Sequence, residues 1–262
     1  MAATGYDPAF LDVPLAAPQA PGGSLVLDYT HFTLQMHPTR RLASWVTWNV
    51  DGLTLFSGDS ISRSGERFRA DPRLPESEQT LDEAYDGNEL DRGHVARRSD
   101  LLWGTLADAR QASSDSFFFT NITPQHQDFN QSGRGGAWGL LENAVLALEG
   151  LEDRRLSLFA GPVLREEDPV YRGIVQLPRE HWKVVVYRVD GEPRFRCFVL
   201  SQDLDGIARI DFLEEFDTYL VPLAMLEERT GLTFDSLRTL TTAGRRGVEA
   251  PTLVTDAEQV AW

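Results

Sequence analysis

The pattern of apolar and polar positions along the chain predicts short strands joined by tight turns. Strand-like runs rich in β-branched and aromatic residues occur in "ASWVTWNVDGLTLF", "SFFFT", "RLSLFAG" and "HWKVVVYRVDGEPRFRCFVL". The dipeptides Asp51-Gly52 and Asp190-Gly191 each separate two such runs, and Asp-Gly favours a two-residue hairpin turn. We therefore predict a hairpin at each dipeptide and buried strands at "SFFFT" and "RLSLFAG".

Helical spacing appears in three segments. In "AWGLLENAVLALEG" an apolar stripe ends at Gly150, as is typical of an amphipathic helix. The stripe consists of Leu141, Val145 and Leu148. Pro222 and Gly231 suit the start and the end of a helix over "LAMLEERT". The capping-box pattern that begins at Thr80 predicts a short helix before Gly87.

These elements show no regular strand-helix-strand alternation, which predicts an α+β fold with a largely antiparallel central sheet flanked by helices. Residues 57–75 are rich in Gly, Ser, Arg and Pro and predict a surface loop. Residues 1–23 contain four prolines and are interpreted as a flexible Ala/Pro-rich arm. Because nothing splits the chain after this arm, we predict a single domain over residues 24–262.

Composition limits the partners. A net charge of −15 over 262 residues argues against broad, charge-driven adhesion to nucleic acid. A local basic cleft is still compatible with it, since arginines cluster before and within one stretch of sequence. These are Arg63, Arg67, Arg69, Arg73, Arg92, Arg97 and Arg98. Lys183 is the only lysine, and the only cysteine, Cys197, lies in an apolar segment and is predicted to pack in the core.

The sequence also excludes several locations and chemistries. It has no apolar run of about 18 residues, which a membrane span needs, so we expect no membrane contact. It has no standard secretory signal, which favours a soluble cytoplasmic protein and leaves an atypical export route open. It lacks a phosphate loop, His-Glu-x-x-His, paired Cys-x-x-Cys and Gly-x-Ser-x-Gly. In "GRGGAWG" Trp138 stands where a dinucleotide fingerprint needs glycine. Most nucleotide-cofactor, zinc-protease and serine-hydrolase functions are therefore excluded.

One ordered series of motifs remains. The stretch "ELDRGHVARR" is followed, 27 residues after His94, by "NITPQHQDFNQ" and then by "AWGLLE". This series resembles the DNA/RNA non-specific endonuclease family, the ββα-metal or His-Me finger nucleases, over most of the chain beyond the arm. The resemblance implies a ββα-metal motif and Mg²⁺-dependent hydrolysis of phosphodiesters in DNA and RNA, with Mn²⁺ as a substitute metal.

The resemblance also implies roles for single residues. His94 matches the general base that takes a proton from water, and the near-neutral pKa of a free imidazole suits that task. Asn130 matches the single metal ligand, and Asn121 matches an asparagine of the active-site network. Glu142 matches the glutamate that holds metal-bound water, and Arg92 matches the motif arginine that binds the scissile phosphate.

Two assignments stay open at this stage. Arg63 matches a substrate-binding arginine by similar spacing, but Arg67 and Arg69 are near enough to be the counterpart. The chain also inserts "SGRG", residues 132–135, between the motif residues Asn130 and Glu142. A glycine-rich insertion of about one turn breaks a helix or bulges out of it, so the distance between these two side chains does not follow from the sequence.

Three functions are therefore weighed. The first is a sugar-non-specific endonuclease with DNA and RNA as substrates. The second is a non-catalytic nucleic-acid-binding or interaction module on the same scaffold, and the third is a phosphoesterase for small substrates. Retention of the whole motif series favours the first. A homodimer and an inhibitor protein are left open as partners.

Overall fold

The computed structural model describes residues 5–22, 24–146, 154–202, 204, 218–242, 250–255 and 260. Within these residues the chain forms strands β1 (Val26–Tyr29), β2 (Phe32–Met36), β3 (Ala43–Asp51), β4 (Leu90–His94), β5 (Ile122–His126), β6 (Arg155–Val163), β7 (Val170–Tyr171), β8 (Val175–Gln176), β9 (Glu180–Val189), β10 (Glu192–Ser201), β11 (Thr218–Val221) and β12 (Thr252–Val254). The α-helices are α1 (Leu106–Asp115), α2 (Gln127–Asn130), α3 (Ala137–Leu146), α4 (Leu223–Thr230) and α5 (Asp235–Thr242). None of the described helices has the length and apolar character to cross a membrane.

An eight-stranded sheet forms the centre of the fold. Its order is β1-β2-β3-β6-β9-β10-β11-β12, and every neighbouring pair is antiparallel. The hairpin predicted at Asp190-Gly191 joins β9 and β10, with positive φ angles of 53° and 78° at the two turn residues. The largely antiparallel α+β prediction is therefore confirmed.

Both faces of this sheet are covered, which explains why residues 184–187 in the middle of β9 are consecutive apolar or aromatic residues that are all buried. Trp48 and Val185 face the layer that contains α3, where Leu141 and Val145 are buried as predicted. The opposite face carries Trp182 and packs against α4 and α5. The predicted helix α4 lies between Pro222 and Gly231, and the predicted positions Leu148 and Gly150 fall outside the described residues. Cys197 is buried in this second layer.

The N-terminal segment differs from the predicted flexible arm. Over residues 5–22 the chain lies along the sheet, and Phe10, Leu11 and Leu15 are buried in the apolar cluster that contains Trp182. The proline-rich sequence prevents regular structure, but its apolar side chains cover a sheet face that water would otherwise reach.

Three further predictions were wrong in detail. The Asp51-Gly52 hairpin does not form, because β3 pairs with β2 and β6 and the Gly52 amide donates to the Arg154 carbonyl. "SFFFT" is mostly buried but forms a 3₁₀ turn over Phe119–Asn121 instead of a strand. The segment after Thr80 forms a single 3₁₀ turn, Asp82–Ala84. In these segments the local sequence indicated turns or buried elements, but pairing with distant parts of the chain determined the backbone conformation.

A second, two-stranded sheet stands apart from the large one. β4 pairs with β5 in the register His94↔Ile122 to Leu90↔His126, and α2 follows directly. The His126 side chain caps α2 by accepting from the Asp128 amide. These two strands and the helix form the ββα unit that the resemblance implied, and they carry the candidate residues Arg92, His94 and Asn130.

Candidate active site

Gly93 leaves space on β4 for a side chain of the paired strand. It lies opposite Thr123, and a Cβ atom at this position would come within 2.0 Å of the Gln125 side-chain oxygen. Any larger residue would have to displace the Gln125 side chain. The glycine of the Asp-Arg-Gly-His motif thus accommodates Gln125 directly before His94.

His94 ends β4 with its ring among aromatic side chains. The ring centroid lies 5.2 Å from that of Phe117 and 5.6 Å from that of Phe68. Burial, together with the positive charges of Arg63 and Arg98, lowers the pKa of His94 to about 3. Its Nε2 atom is buried and has no hydrogen-bond partner among the described residues. The imidazole is therefore neutral at neutral pH with one nitrogen uncommitted.

Arg92 lies on the same side of β4 as His94. Its guanidinium packs over Phe68, with 5.6 Å from Cζ to the ring centroid, and over Tyr85, at 5.1 Å. Nε donates to the Asp82 carboxylate at 2.8 Å. Because the Asp82 side chain is 59% exposed, this ion pair is weak and an anion can replace the carboxylate.

Of the three arginines left open by the sequence, Arg63 shares an aromatic neighbour with His94. It is exposed, and its guanidinium packs at 5.6 Å over Phe117, the ring that also contacts His94. Arg69 instead donates to the Ser114 carbonyl and packs over Phe118. The structure therefore groups Arg63, Arg92 and His94 around two phenylalanine rings.

Asn130 ends α2 with its two amide atoms in different situations. Nδ2 donates to Asp91 Oδ2 at 2.9 Å, and the neighbouring Gln131 donates to the same oxygen at 2.8 Å. Within the described ranges, Asn130 Oδ1 accepts no hydrogen bond. The Asp91 carboxylate thus orients the carboxamide and leaves its oxygen available.

The inserted residues 132–135 bulge out without breaking this arrangement. They form a 3₁₀ turn, Gly135 adopts a positive φ of 83°, and the Gly136 amide returns to the Gln131 carbonyl at 3.0 Å. Helix α3 then packs tightly against the end of α2. A Cβ atom on Gly139 would lie 2.6 Å from the Asn130 carbonyl oxygen.

His94 and Asn130 are associated with opposite faces of β4. Side chains alternate along a strand, so Arg92 and His94 share one face while Asp91, the partner of Asn130, lies on the other. No contact joins the His94 and Asn130 side chains directly in the described structure. β4 has β5 as its only described strand neighbour, so its other edge is unpaired in the described structure.

Asn121 is fully buried, and all its polar atoms are committed. Its side-chain oxygen accepts from the Ala96 amide at 2.9 Å, and Nδ2 donates to the carbonyls of Ala96 and Ser116. Its own carbonyl accepts from the Val95 amide. Asn121 therefore fixes the backbone immediately after His94.

Glu142 belongs to a separate group of buried charges. One carboxylate oxygen accepts from the Lys183 ammonium at 3.2 Å, and the other lies 3.4 Å from Arg97 Nε. Lys183 itself packs at 3.9 Å over the Trp138 ring, and burial lowers its pKa. Burial also raises the pKa of the neighbouring Asp100 to about 6. The described contacts do not bring Glu142 to Asn130.

Comparison with known proteins decides the family. Residues 14–239 match the model of the DNA/RNA non-specific endonuclease family. The chain belongs to this family. The chain is 26% identical over 232 residues to nuclease C1 of Cunninghamella echinulata var. echinulata, covering 83% of this chain and 85% of that protein. The resemblance seen in the sequence is thereby confirmed.

Two further similarities concern length and fold. The uncharacterized protein y4fB of Sinorhizobium fredii is 32% identical over 226 residues, which cover 80% of this chain but only 33% of y4fB. The chain thus spans about a third of that relative. A chain of the crystal structure of the EndoG/EndoGI complex superimposes with a TM-score of 0.65 at 22% identity, covering 82% and 87% of the two chains. This likeness shows a shared ββα-metal fold.

The donor atoms fit the metal dependence of the family. Among the described residues, no three His, Cys, Asp or Glu side chains form a metal-binding group. What the ββα unit offers is a carboxamide oxygen oriented by a carboxylate, at Asn130 and Asp91. Hard oxygen donors and few protein ligands suit Mg²⁺, which keeps several waters.

Sequence reasoning missed two members of the site region. Lys183 stands out in the sequence only as the single lysine, although a lysine inside an apolar strand is itself a signal of a buried partner. Arg98 was counted as one of a surface cluster, but it is buried, and its charge acts on His94. Neither could be assigned without knowing which loops approach them.

Proposed function

We propose that this chain is a Mg²⁺-dependent endonuclease that hydrolyses phosphodiester bonds in both DNA and RNA. The observation that supports it most is the neutral His94 imidazole, with Nε2 uncommitted, beside Arg63 and Arg92 on a ββα unit. Contacts to phosphate read no bases and use no 2′-hydroxyl, so sequence and sugar preference should be weak.

His94 acts as the general base in this proposal. Its neutral imidazole takes a proton from the attacking water. A pKa of about 3 makes a weak base, but the phosphate that binds beside Arg63 is an anion. Its charge offsets that of the arginines and raises the pKa of His94 towards the value that proton transfer needs.

Arg63 and Arg92 bind the oxygens of the scissile phosphate through charge-assisted hydrogen bonds. Arg92 exchanges its exposed partner Asp82 for the phosphate, so one ion pair replaces another. Arg63 already lies over Phe117, next to the His94 ring. Both guanidinium groups would stabilise negative charge that develops at phosphorus.

Asn130 Oδ1 is the proposed metal ligand, and Asp91 keeps it oriented. When bound, the metal neutralises phosphoryl charge and stabilises the leaving alkoxide. Glu142 is proposed to accept hydrogen bonds from the water that a bound metal would hold, while ion pairs with Lys183 and Arg97 fix the position of its carboxylate. Asn121 holds the backbone that places His94.

The direct test is digestion of supercoiled plasmid and of RNA by the purified protein. We expect both to be cut with Mg²⁺, and also with Mn²⁺, and we expect a chelator to stop both reactions. Cleavage that persists in the chelator would refute the metal-dependent mechanism. Binding of nucleic acid without cleavage would instead establish the non-catalytic module, and hydrolysis limited to a bis-aryl phosphate would establish a small-substrate phosphoesterase.

The partner proposals need separate measurements. The solved relative is described in a complex concerned with EndoG inhibition, which supports an inhibitor protein as a partner for this chain as well. A homodimer is proposed from the family resemblance. Light scattering measures the mass of the protein in solution, and a mass of 29.3 kDa would contradict the dimer.

A further inference from the structure

Arg98 is a buried cation without a described carboxylate partner. It is 8% exposed, and its guanidinium donates to the Ser113 hydroxyl at 2.7 Å and to the carbonyls of Ile61 and Gly58. No ion pair forms with it in the part of the chain that the structure describes. The Glu66 carboxylate acts on this charge without forming an ion pair, so in the described structure the buried guanidinium is held by neutral hydrogen-bond acceptors.

The two carbonyl groups belong to the loop that carries Arg63. Apart from these two bonds, every described hydrogen bond of residues 57–66 stays inside the loop, as in Ser60 to Ser57 and Glu66 to Arg63. The remaining attachments are the buried Ile61 side chain and the packing of Arg63 over Phe117. Arg98 therefore provides all of the described hydrogen bonding that ties this loop to the protein.

Arg98 also connects the loop to the histidine. It lies four residues after His94 in the chain, and the charges of both Arg98 and Arg63 act on the His94 ring. On the other side, its Nε is held by Ser113 of α1. Arg98 thus connects the segment after β4 with helix α1 and with the loop.

We propose that Arg98 is a positioning residue: by holding the carbonyls of Gly58 and Ile61, it fixes the loop so that Arg63 meets the substrate phosphate beside His94. This inference rests on the proposed function and deepens it. A planar guanidinium can bond two carbonyls and a hydroxyl at once, whereas the ammonium of lysine cannot reproduce that fork.

The loop itself provides a readout that needs no activity. Trypsin cuts after arginine, and both Arg63 in the loop and Arg67 directly after it are exposed. In Arg98→Gln we expect trypsin cleavage after these residues to accelerate about tenfold or more, since each lost bond to a charged group changes the opening equilibrium by about a factor of ten. Ser113→Ala, which removes only the Nε acceptor, should give a smaller acceleration. Circular dichroism verifies that each variant is folded.

The second readout is the affinity for a short DNA duplex in the presence of a chelator. Arg63→Ala and Arg98→Gln should each weaken binding by about tenfold, and the double variant should bind no more weakly than Arg63→Ala. Arg98→Lys should bind as weakly as Arg98→Gln, because it keeps the charge but loses the fork. Arg110→Gln, which removes an exposed arginine from α1, is the matched control and should bind normally.

Three results would overturn the proposal: unchanged trypsin cleavage in Arg98→Gln, additive effects of the two arginine substitutions on affinity, or normal binding by Arg98→Lys. Additive effects or normal binding by the lysine variant would mean that Arg98 acts by its charge alone. If the unsubstituted protein neither binds nor cuts nucleic acid, the proposed function fails, and the trypsin comparison still decides whether Arg98 holds the loop.

Discussion

At the scale of single residues, some side chains of the candidate site use all their polar atoms in hydrogen bonds, and others have a polar atom with no described partner. Asn121 uses every polar atom to hold backbone, whereas His94 Nε2 and Asn130 Oδ1 have no described hydrogen-bond partner. Polar side-chain atoms that the protein itself leaves unbonded mark His94 and Asn130 as candidates for reaction or ligation.

Replacing His94 by alanine tests the proposed base. Without a proton acceptor, turnover should fall by about a hundredfold to ten-thousandfold, while the fold is kept because Phe68 and Phe117 remain packed. Plasmid nicking rates measure the change. His37→Ala, which alters a histidine on the β2–β3 connection, serves as the control. Normal nicking by His94→Ala would show that the base is misassigned.

Replacing Asn130 by alanine tests the proposed ligand. Loss of its carboxamide oxygen should raise the Mg²⁺ concentration for half-maximal cleavage by about tenfold or more. Gln131→Ala removes the other hydrogen bond to Asp91 but no proposed ligand, so its metal requirement should change much less. Equal metal titrations of Asn130→Ala and the unsubstituted protein would remove Asn130 from the metal site.

At the scale of elements, the glycines around the insertion have different tasks. Gly139 lies against the end of α2, whereas a Cβ atom on Gly133, inside the insertion, would meet nothing within 4 Å. The first glycine thus sets how closely α3 approaches Asn130, whereas the structure leaves room for a side chain at the second.

Gly139→Ala should therefore destabilise the fold and displace Asn130. Overpacking of this kind costs about 1–3 kcal/mol, which thermal unfolding detects. The Mg²⁺ requirement for cleavage should rise as well. Gly133→Ala should leave both quantities unchanged. The close approach of the two helices would be disproved by a Gly139→Ala protein as stable as Gly133→Ala.

The same elements show what the sequence could and could not predict. The β9–β10 hairpin and α4 follow from local signals, an Asp-Gly turn and a Pro-to-Gly frame, and both were predicted correctly. The Asp51-Gly52 turn carried the same signal as the first, but β3 found its partners in β2 and in β6, about a hundred residues later. Turn propensity cannot reveal a distant strand that competes for the same edge.

In the candidate site, too, local motifs were predictable and long-range contacts were not. The motif series placed its residues in the ββα unit, but their mutual contacts depend on other segments. Lys183 reaches Glu142 across 41 positions, and Arg98 reaches Gly58 across 40. Pairings over such distances leave no local periodicity, so the sequence indicated the chemistry while the structure supplied the supporting charges.

At the scale of the whole molecule, buried ionisable groups link stability to pH. The pKa values of His94 and His181 are both lowered to about 3 by burial, so between pH 6.5 and 3 these residues take up protons in the unfolded chain and not in the folded one. Their contribution is complete above pH 6.5 and is lost as the pH falls. Asp100 and Asp168, whose pKa values are raised, oppose this trend, but the shift of Asp100 is smaller.

We therefore expect the free energy of unfolding to decrease by a few kcal/mol as the pH is lowered from about 6.5 to 4. Urea unfolding at several pH values measures it. His94→Ala should show a shallower decrease, because one of the two histidines is gone. Stability that stays constant or rises over this range would contradict the neutral, buried state of both rings.

The packing of residues 5–22 has a practical consequence for anyone who trims the protein to a minimal unit. Starting the chain at Ser24 would remove the three buried apolar side chains Phe10, Leu11 and Leu15 from the sheet face that carries Trp182. Trp182 and its apolar neighbours would then be exposed to water. Such a shortened protein should aggregate, as light scattering would show, although every proposed reacting group is retained. A soluble monodisperse product would mean that the fold does not need the proline-rich segment, whereas precipitation would mean that the segment is an integral part of the folded nuclease.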